Sequence, residues 1–299
     1  GVGSEQLTQF ISALNDALTR RIVELNLANH DFQGVDWCWL AFGSEGRDEQ
    51  TFSTDQDNGI VFLYDDFRDH DELKQRFLAF AKDVNDDLDR CGFPLCKGNI
   101  MASNPQWCLS LEEWMDQFSN WIRVPEPEAL LNATIFFDFR PLFGKAHLAD
   151  QMRRHLLGQT AANPGFLRAM AQNALNVEPP LGKFRDFVTD LEPDHPGKID
   201  LKKYGSRIFV DVARIFALAT GVHNTNSVQR LRIAAQRLNL KAEDTNAVVE
   251  AMHFIQLLRL RHQHLEGEPG RQRDNLIDPE QLNELDRRIL KELFRQARK

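Results

Sequence analysis

Apolar residues recur every three or four positions over 5–29, at Leu7, Phe10, Ile11, Leu14, Leu18, Ile22 and Leu25. This spacing predicts an amphipathic helix buried along that face. Two short apolar runs follow: 37–42, closed by Gly43, and 59–64, rich in β-formers, read as strands of one sheet. Leu73, Phe77, Phe80, Ala81, Val84 and Leu88 keep helical spacing over 69–90, with the aspartates mostly on the opposite, solvated side. After a turn rich in Gly and Pro, 99–102 reads as a short edge strand. Ser110 with Glu113 three residues on is a capping-box signature for a helix through Trp121. Pro125 and Pro127 punctuate the start of another, and 134–139, TIFFDF, reads as a further buried strand.

Beyond about Ala146 strand-like runs nearly vanish. Helices are predicted over 166–175, 206–220, 228–238, 242–265 and 279–298. The last has Asp278 as N-cap, Pro279 at the first helical position, and Leu282, Leu285, Ile289 and Leu293 as its buried stripe. The pattern gives an α+β fold class: a sheet with helices over 1–145, then an all-α C-terminal domain over 146–299. A length of 299 residues agrees with two domains.

Composition changes this picture little. The chain is 42% hydrophobic and 27% charged, ordinary for a globular protein. No apolar run approaches the roughly 20 residues of a membrane-spanning helix, and no signal peptide is apparent, so a cytoplasmic location is expected. Residues 1–4 read as a fragment boundary. A net charge of -8 gives no global attraction to nucleic acid or anionic membranes, and no basic stripe interleaves with aromatics. Neither is expected as a partner. The cysteines Cys38, Cys91, Cys96 and Cys108 read as buried free thiols, because CGFPLC lacks the two-residue spacing of redox and zinc pairs. His262 and His264, two apart on a helix, do not share a face, which excludes a zinc pair.

The chemistry concentrates in AFGSEGRDEQTFSTDQDNGIVF, residues 41–62. Asp55 and Asp57 enter a strand two apart, so the period of two puts both carboxylates on one side, where they can hold divalent cations. Gly43 and Ser44 follow the first strand. A residue without a side chain lets backbone N–H groups approach phosphate oxygens, and the hydroxyl adds a donor. Arg47 offers a planar cationic fork suited to a triphosphate. In-line transfer to an α-phosphorus uses two metal ions about 3.5–4 Å apart, which calls for a third carboxylate. Asp138, acidic inside a hydrophobic run, is the candidate. Each part has a plainer reading: turn chemistry for the aspartate pair, and a structural ion pair of Asp138 with Arg140.

Together these residues resemble the nucleotidyltransferase superfamily that includes DNA polymerase beta, with its Gly-Ser pair, Asp-x-Asp and later carboxylate. Within it the chain resembles the bacterial nucleotidyltransferases of the DUF294 type, relatives of the uridylyltransferase that modifies the PII signal protein. GNIMASNPQW at 98–107, FFDFRPLFG at 136–144, IDLKKYGSRIFVDVARIFAL at 199–218, TNSVQRLRIAA at 225–235, LRLRHQ at 258–263 and NLIDPEQL at 275–282 agree. The match thus covers nearly the whole chain.

The resemblance implies a catalytic domain of nucleotidyltransferase type, a mixed sheet with helices, followed by a helical substrate-binding domain, with cyclic-nucleotide-binding or CBS modules commonly placed upstream. It makes Asp55, Asp57 and Asp138 the catalytic and metal positions, with Mg2+ or Mn2+ as cofactor, and Gly43, Ser44 and Arg47 the nucleotide positions. Lys202, in IDLKKYG, matches the lysine segment after the catalytic domain, although its continuation, Tyr204, Gly205 and Ser206, departs from the fuller glycine run. Lys202, Lys203 and Arg207 read either as phosphate or base contacts or as a solvated helix start. The expected activity is transfer of a nucleoside monophosphate from ATP or UTP to a hydroxyl, with a protein as candidate acceptor. The alternative is a non-catalytic nucleotide-sensing module.

Overall fold

The computed structural model describes residues 3–65, 69–182, 186–189, 191–265 and 274–298. Gly1 and Val2 of the expected fragment boundary lie outside them. The chain divides into two compact units, one of Thr8–Gln50 with Thr54–Phe166, the other of Gly1–Leu7, Thr51–Ser53 and Leu167–Lys299.

The first unit is built on a four-stranded mixed sheet of order β3-β2-β1-β4. Helix α1 (Ser4–Leu27) leads to β1 (Trp37–Ala41), and a one-turn helix, α2 (Gly43–Gly46), precedes β2 (Asn58–Phe62). Helix α3 (His70–Arg90) then crosses over to β3 (Cys108–Ser110), which pairs parallel with β2. Next come α4 (Leu111–Arg123), α5 (Pro127–Phe136), β4 (Arg140–Gly144) and α6 (Ala146–Ala162). β1 pairs antiparallel with β2 on one edge and with β4 on the other. Every residue of β1 and β2 is buried, which is why both read as continuous apolar runs. Trp37, Trp39, Ile60 and Phe62 share a core with Phe77, Phe80, Val84 and Leu88 of α3.

The capping box at Ser110 and Glu113 is present in both directions. Three local expectations are corrected. The edge strand is Cys108–Ser110 rather than 99–102. TIFFDF is not a strand: Pro127 at the first helical turn starts α5, which runs through Phe136, and Asp138 falls in the turn before β4. A short apolar run fits a buried helix as well as a strand. Finally, α1 buries Thr8, Ser12, Asp16, Thr19 and Asn26 beside Ile11, Ile22 and Val23, and leaves Phe10, Leu14, Leu18 and Leu25 exposed. Specific polar contacts set that choice: Asp16 takes two hydrogen bonds from Arg140, and Asn26 donates to Asp87.

The second unit is helical. Its elements are α7 (Pro164–Ala174), a two-residue strand β5 (Ile199–Asp200), a π-helical turn (Lys202–Ser206), α8 (Arg207–Thr220), α9 (Ser227–Arg237) and α10 (Ala242–Leu265). The strand β6 (Leu276–Ile277), paired with β5, a 3-10 turn (Pro279–Gln281) and α11 (Glu284–Ala297) complete it. Phe209, Ile255, Leu258, Leu290 and Phe294 belong to its core. The expected helix over 279–298 is interrupted: Asp278 caps only the 3-10 turn, Leu282 is extended, and Asn283 caps α11 by accepting from the Asp286 N–H.

Candidate active site

The site grows from the end of β1. Phe42 stays extended and donates its N–H to the Asp57 carbonyl at 2.9 Å. Gly43 then turns the chain with φ of 56°, a conformation that costs a residue with a side chain roughly 1–2 kcal/mol. A Cβ at Gly43 would also stand 3.1 Å from Asp57 Oδ2. Gly43 and the Asp57 carboxylate are therefore neighbours. At the other end of α2, a Cβ on Gly46 would overlap the Asp138 carbonyl oxygen and lie 2.7 Å from that of Ala41.

Asp55 and Asp57 come just before β2 and bring one carboxylate oxygen each within 4.8 Å of the other. Gln56 between them is buried, donating from Nε2 to the Asn85 and Phe93 carbonyls at 2.9 Å, while Asp55 is exposed and Asp57 half-buried. Cys96 joins them: its Sγ is 3.4 Å from Asp57 Oδ1, and one ligand atom from each of Asp55, Asp57 and Cys96 falls within 4.8 Å of the others. Burial, then the charge of Asp57, pushes the Cys96 thiol up to about 11. Sulfur is a soft donor that suits a hard cation poorly, whereas two carboxylates supply the oxygen donors that Mg2+ and Mn2+ prefer. The donor set thus fits such a cation through Asp55 and Asp57.

Sequence pattern alone did not reveal Cys96, because CGFPLC approaches the aspartates only through the fold, with the Gln56 N–H donating to the Pro94 carbonyl at 3.1 Å. Of the four free thiols, Cys38 and Cys108 are buried as expected, but Cys91 is exposed and Cys96 half-buried.

Asp138 is fully buried and falls outside that ligand group. Its carboxylate accepts from Arg47 Nη1 at 2.7 Å, and Arg47 Nε donates to Glu49 at 2.8 Å. The ion pair considered between Asp138 and Arg140 is therefore made by a different arginine. Arg140 instead grips Asp16 at 2.8 and 3.0 Å, lies 3.1 Å from Asp48, and donates to the Glu45 carbonyl at 2.9 Å. Glu45 is buried; burial, with the charges of Asp16 and Asp57, raises its carboxyl to about 8 against the pull of Arg140.

Lys202 opens the π-helical turn of the helical unit, and its N–H donates to Asp200 Oδ1 at 2.8 Å. Its neighbours are engaged with acids, Lys203 with Glu192 at 2.6 Å and Arg207 with Asp211 at 3.5 Å.

A family model described as "Putative nucleotidyltransferase DUF294" matches residues 1–128, and one described as "Putative nucleotidyltransferase substrate binding domain" matches 164–299. The chain belongs to the DUF294 family. Gly43, Ser44, Arg47, Asp55 and Asp57 lie in the first DUF294 match and Lys202 in the second, whereas Asp138 and Arg140 fall between them. The role both descriptions point to is nucleotidyl transfer. No curated protein matches the chain. Among the described residues of this DUF294 protein, no helix is long and apolar enough to cross a membrane.

Proposed function

We propose that this chain is a divalent-cation-dependent nucleotidyltransferase that moves a nucleoside monophosphate from ATP or UTP to a hydroxyl group, with a protein side chain as the favoured acceptor. The observation that carries the reading is the contact between the Gly43 turn and the Asp57 carboxylate. It sets an N–H-lined turn beside a pair of oxygen ligands, as a metal-bound triphosphate requires.

In this reading the first-turn N–H groups of α2, which its own ladder cannot satisfy, and the Ser44 hydroxyl receive phosphate oxygens. Asp55 and Asp57 would hold Mg2+ or Mn2+, which when bound supplies Lewis-acid stabilisation of the charge on the α-phosphate and the leaving pyrophosphate. The acceptor hydroxyl releases its proton to solvent and its oxygen bonds to the α-phosphorus as the bond to the β-phosphate oxygen breaks and pyrophosphate departs. Arg47 adds positive charge at the turn and holds it against Asp138. Asp138 enters as the third acidic residue, acting through Arg47 and the close approach of Gly46 rather than as a member of the aspartate pair. Lys202 is the helical unit's candidate phosphate contact.

The test incubates the purified chain with each labelled triphosphate, Mg2+ or Mn2+, and cell extract. Pyrophosphate release and label on a protein are expected from the native chain and not from Asp57→Asn. If no triphosphate yields either product, the reading fails.

A further inference from the structure

Three motifs that the transfer reading leaves largely without a role meet in one half-buried hydrogen-bond chain of the helical unit. Gln263 of α10 is fully buried. Its Oε1 accepts the Ser53 N–H at 3.1 Å, and its Nε2 donates to Asn275 Oδ1 at 3.1 Å. The same Asn275 oxygen accepts from Arg259 Nε at 2.8 Å, and Arg259 Nη1 donates to Gln256 at 2.9 Å and to Ser206 Oγ at 3.3 Å. Asn275 also accepts the Leu201 N–H through its carbonyl at 2.9 Å. LRLRHQ, the start of NLIDPEQL and the KKYGS turn are thus tied together, and the chain ends on the backbone of Ser53.

Buried polar side chains cost free energy unless every member is satisfied, and a satisfied network is rigid. A rigid network that terminates on a loop amide fixes that loop. The segment Thr51–Ser53 belongs to the helical unit, and the Phe52 ring adds a second attachment 6.4 Å from the His264 ring. Ser53 precedes Asp55 by two residues, a tether whose Cα atoms are about 3.8 Å apart per step. Asp55 therefore cannot stray far from where Ser53 is held.

We propose that Gln263 is a positioning residue for the metal pair, holding Ser53 so that Asp55 stands beside Asp57. This rests on the metal-site reading given above.

Mn2+ binding, followed by electron paramagnetic resonance, and hydrogen exchange at the Ser53 amide test the role without any need for turnover. Gln263→Met keeps the length and loses both polar atoms; it should raise Ser53 exchange and weaken Mn2+ binding about tenfold, the scale of lost outer-sphere support. Gln263→Glu keeps the acceptor for Ser53 and should hold Mn2+ affinity within about twofold of native. Ser53→Pro removes the donor while leaving the bonds among Gln263, Asn275 and Arg259 in place, and should weaken binding similarly. In the double variant with Gln263→Met the two effects should not multiply, since both break one bond. Native Mn2+ affinity in folded Gln263→Met, or in Ser53→Pro if the first variant does not fold, overturns the positioning role. Absence of Mn2+ binding by the native chain overturns the metal-site reading itself, and this role with it.

Discussion

Arg47 donates to the carboxylate of Asp138 at 2.7 Å across 91 residues of chain, joining the turn after β1 to the turn before β4. With Asp138 fully buried, the bond compensates a charge that water cannot reach. Arg47→Met should therefore cost on the order of 3–5 kcal/mol in urea unfolding, the penalty of breaking a buried pair from one side. Adding Asp138→Asn should recover most of that loss. Equal destabilisation of the single and double variants would show that the arginine matters for packing alone.

Asp55 and Asp57 present like charges close together, so neutralising one relieves repulsion and removes a ligand at once. Asp57→Asn should leave the melting temperature of the cation-free chain unchanged or slightly higher and abolish Mn2+-dependent triphosphate binding in calorimetry. Tight triphosphate binding that ignores both Mn2+ and this substitution would favour the nucleotide-sensing alternative.

The two glycines of α2 should fail differently. Gly46→Ala drives a methyl into main-chain oxygens of Asp138 and Ala41, atoms that cannot swing aside, and should destabilise by about 3 kcal/mol or more. Gly43→Ala faces a strained φ and the Asp57 carboxylate. It should cost only about 1–2 kcal/mol while weakening Mn2+ binding by a larger factor than Gly46→Ala does in molecules that remain folded.

Glu45 gives the site a pH signature. Its carboxyl is held at about 8 in the folded chain against an ordinary 4.5, so between those values the folded state keeps a proton that the unfolded state releases. Its contribution to stability falls as pH rises through that window and levels off above about 8. Glu45→Gln, neutral throughout, should gain on the native chain progressively over the same range in denaturant unfolding. A constant difference from pH 5 to 9 would mean that Glu45 is already ionised in the fold.

Local chemistry was legible in the sequence wherever one short segment decides the outcome. The capping box of Ser110 and Glu113, the same-side carboxylates flanking buried Gln56 and the long period of α10 all follow from neighbours in the chain. Pairings between distant segments were not legible. Nothing near Asp138 distinguishes Arg47 from Arg140 as its partner, because that choice depends on how α2 meets the turn before β4. TIFFDF misled because aromatic runs suit a buried helix and a strand equally, and Pro127, seven residues earlier, had already set the helix. In α1 the apolar period placed Ile11 and Ile22 correctly but not Phe10, Leu14, Leu18 and Leu25, since Asp16 and Asn26 had tertiary partners that periodicity cannot see.

The place of β1 in the sheet has a consequence for how the chain is made. One of its edges is matched by residues 58–62, but the other waits for 140–144. During synthesis that second edge stays open while α3, α4 and α5 emerge, a template for pairing with other nascent chains. A nascent chain halted before Gly144 therefore carries β1 with one edge unmatched, a surface that another copy's strand can join.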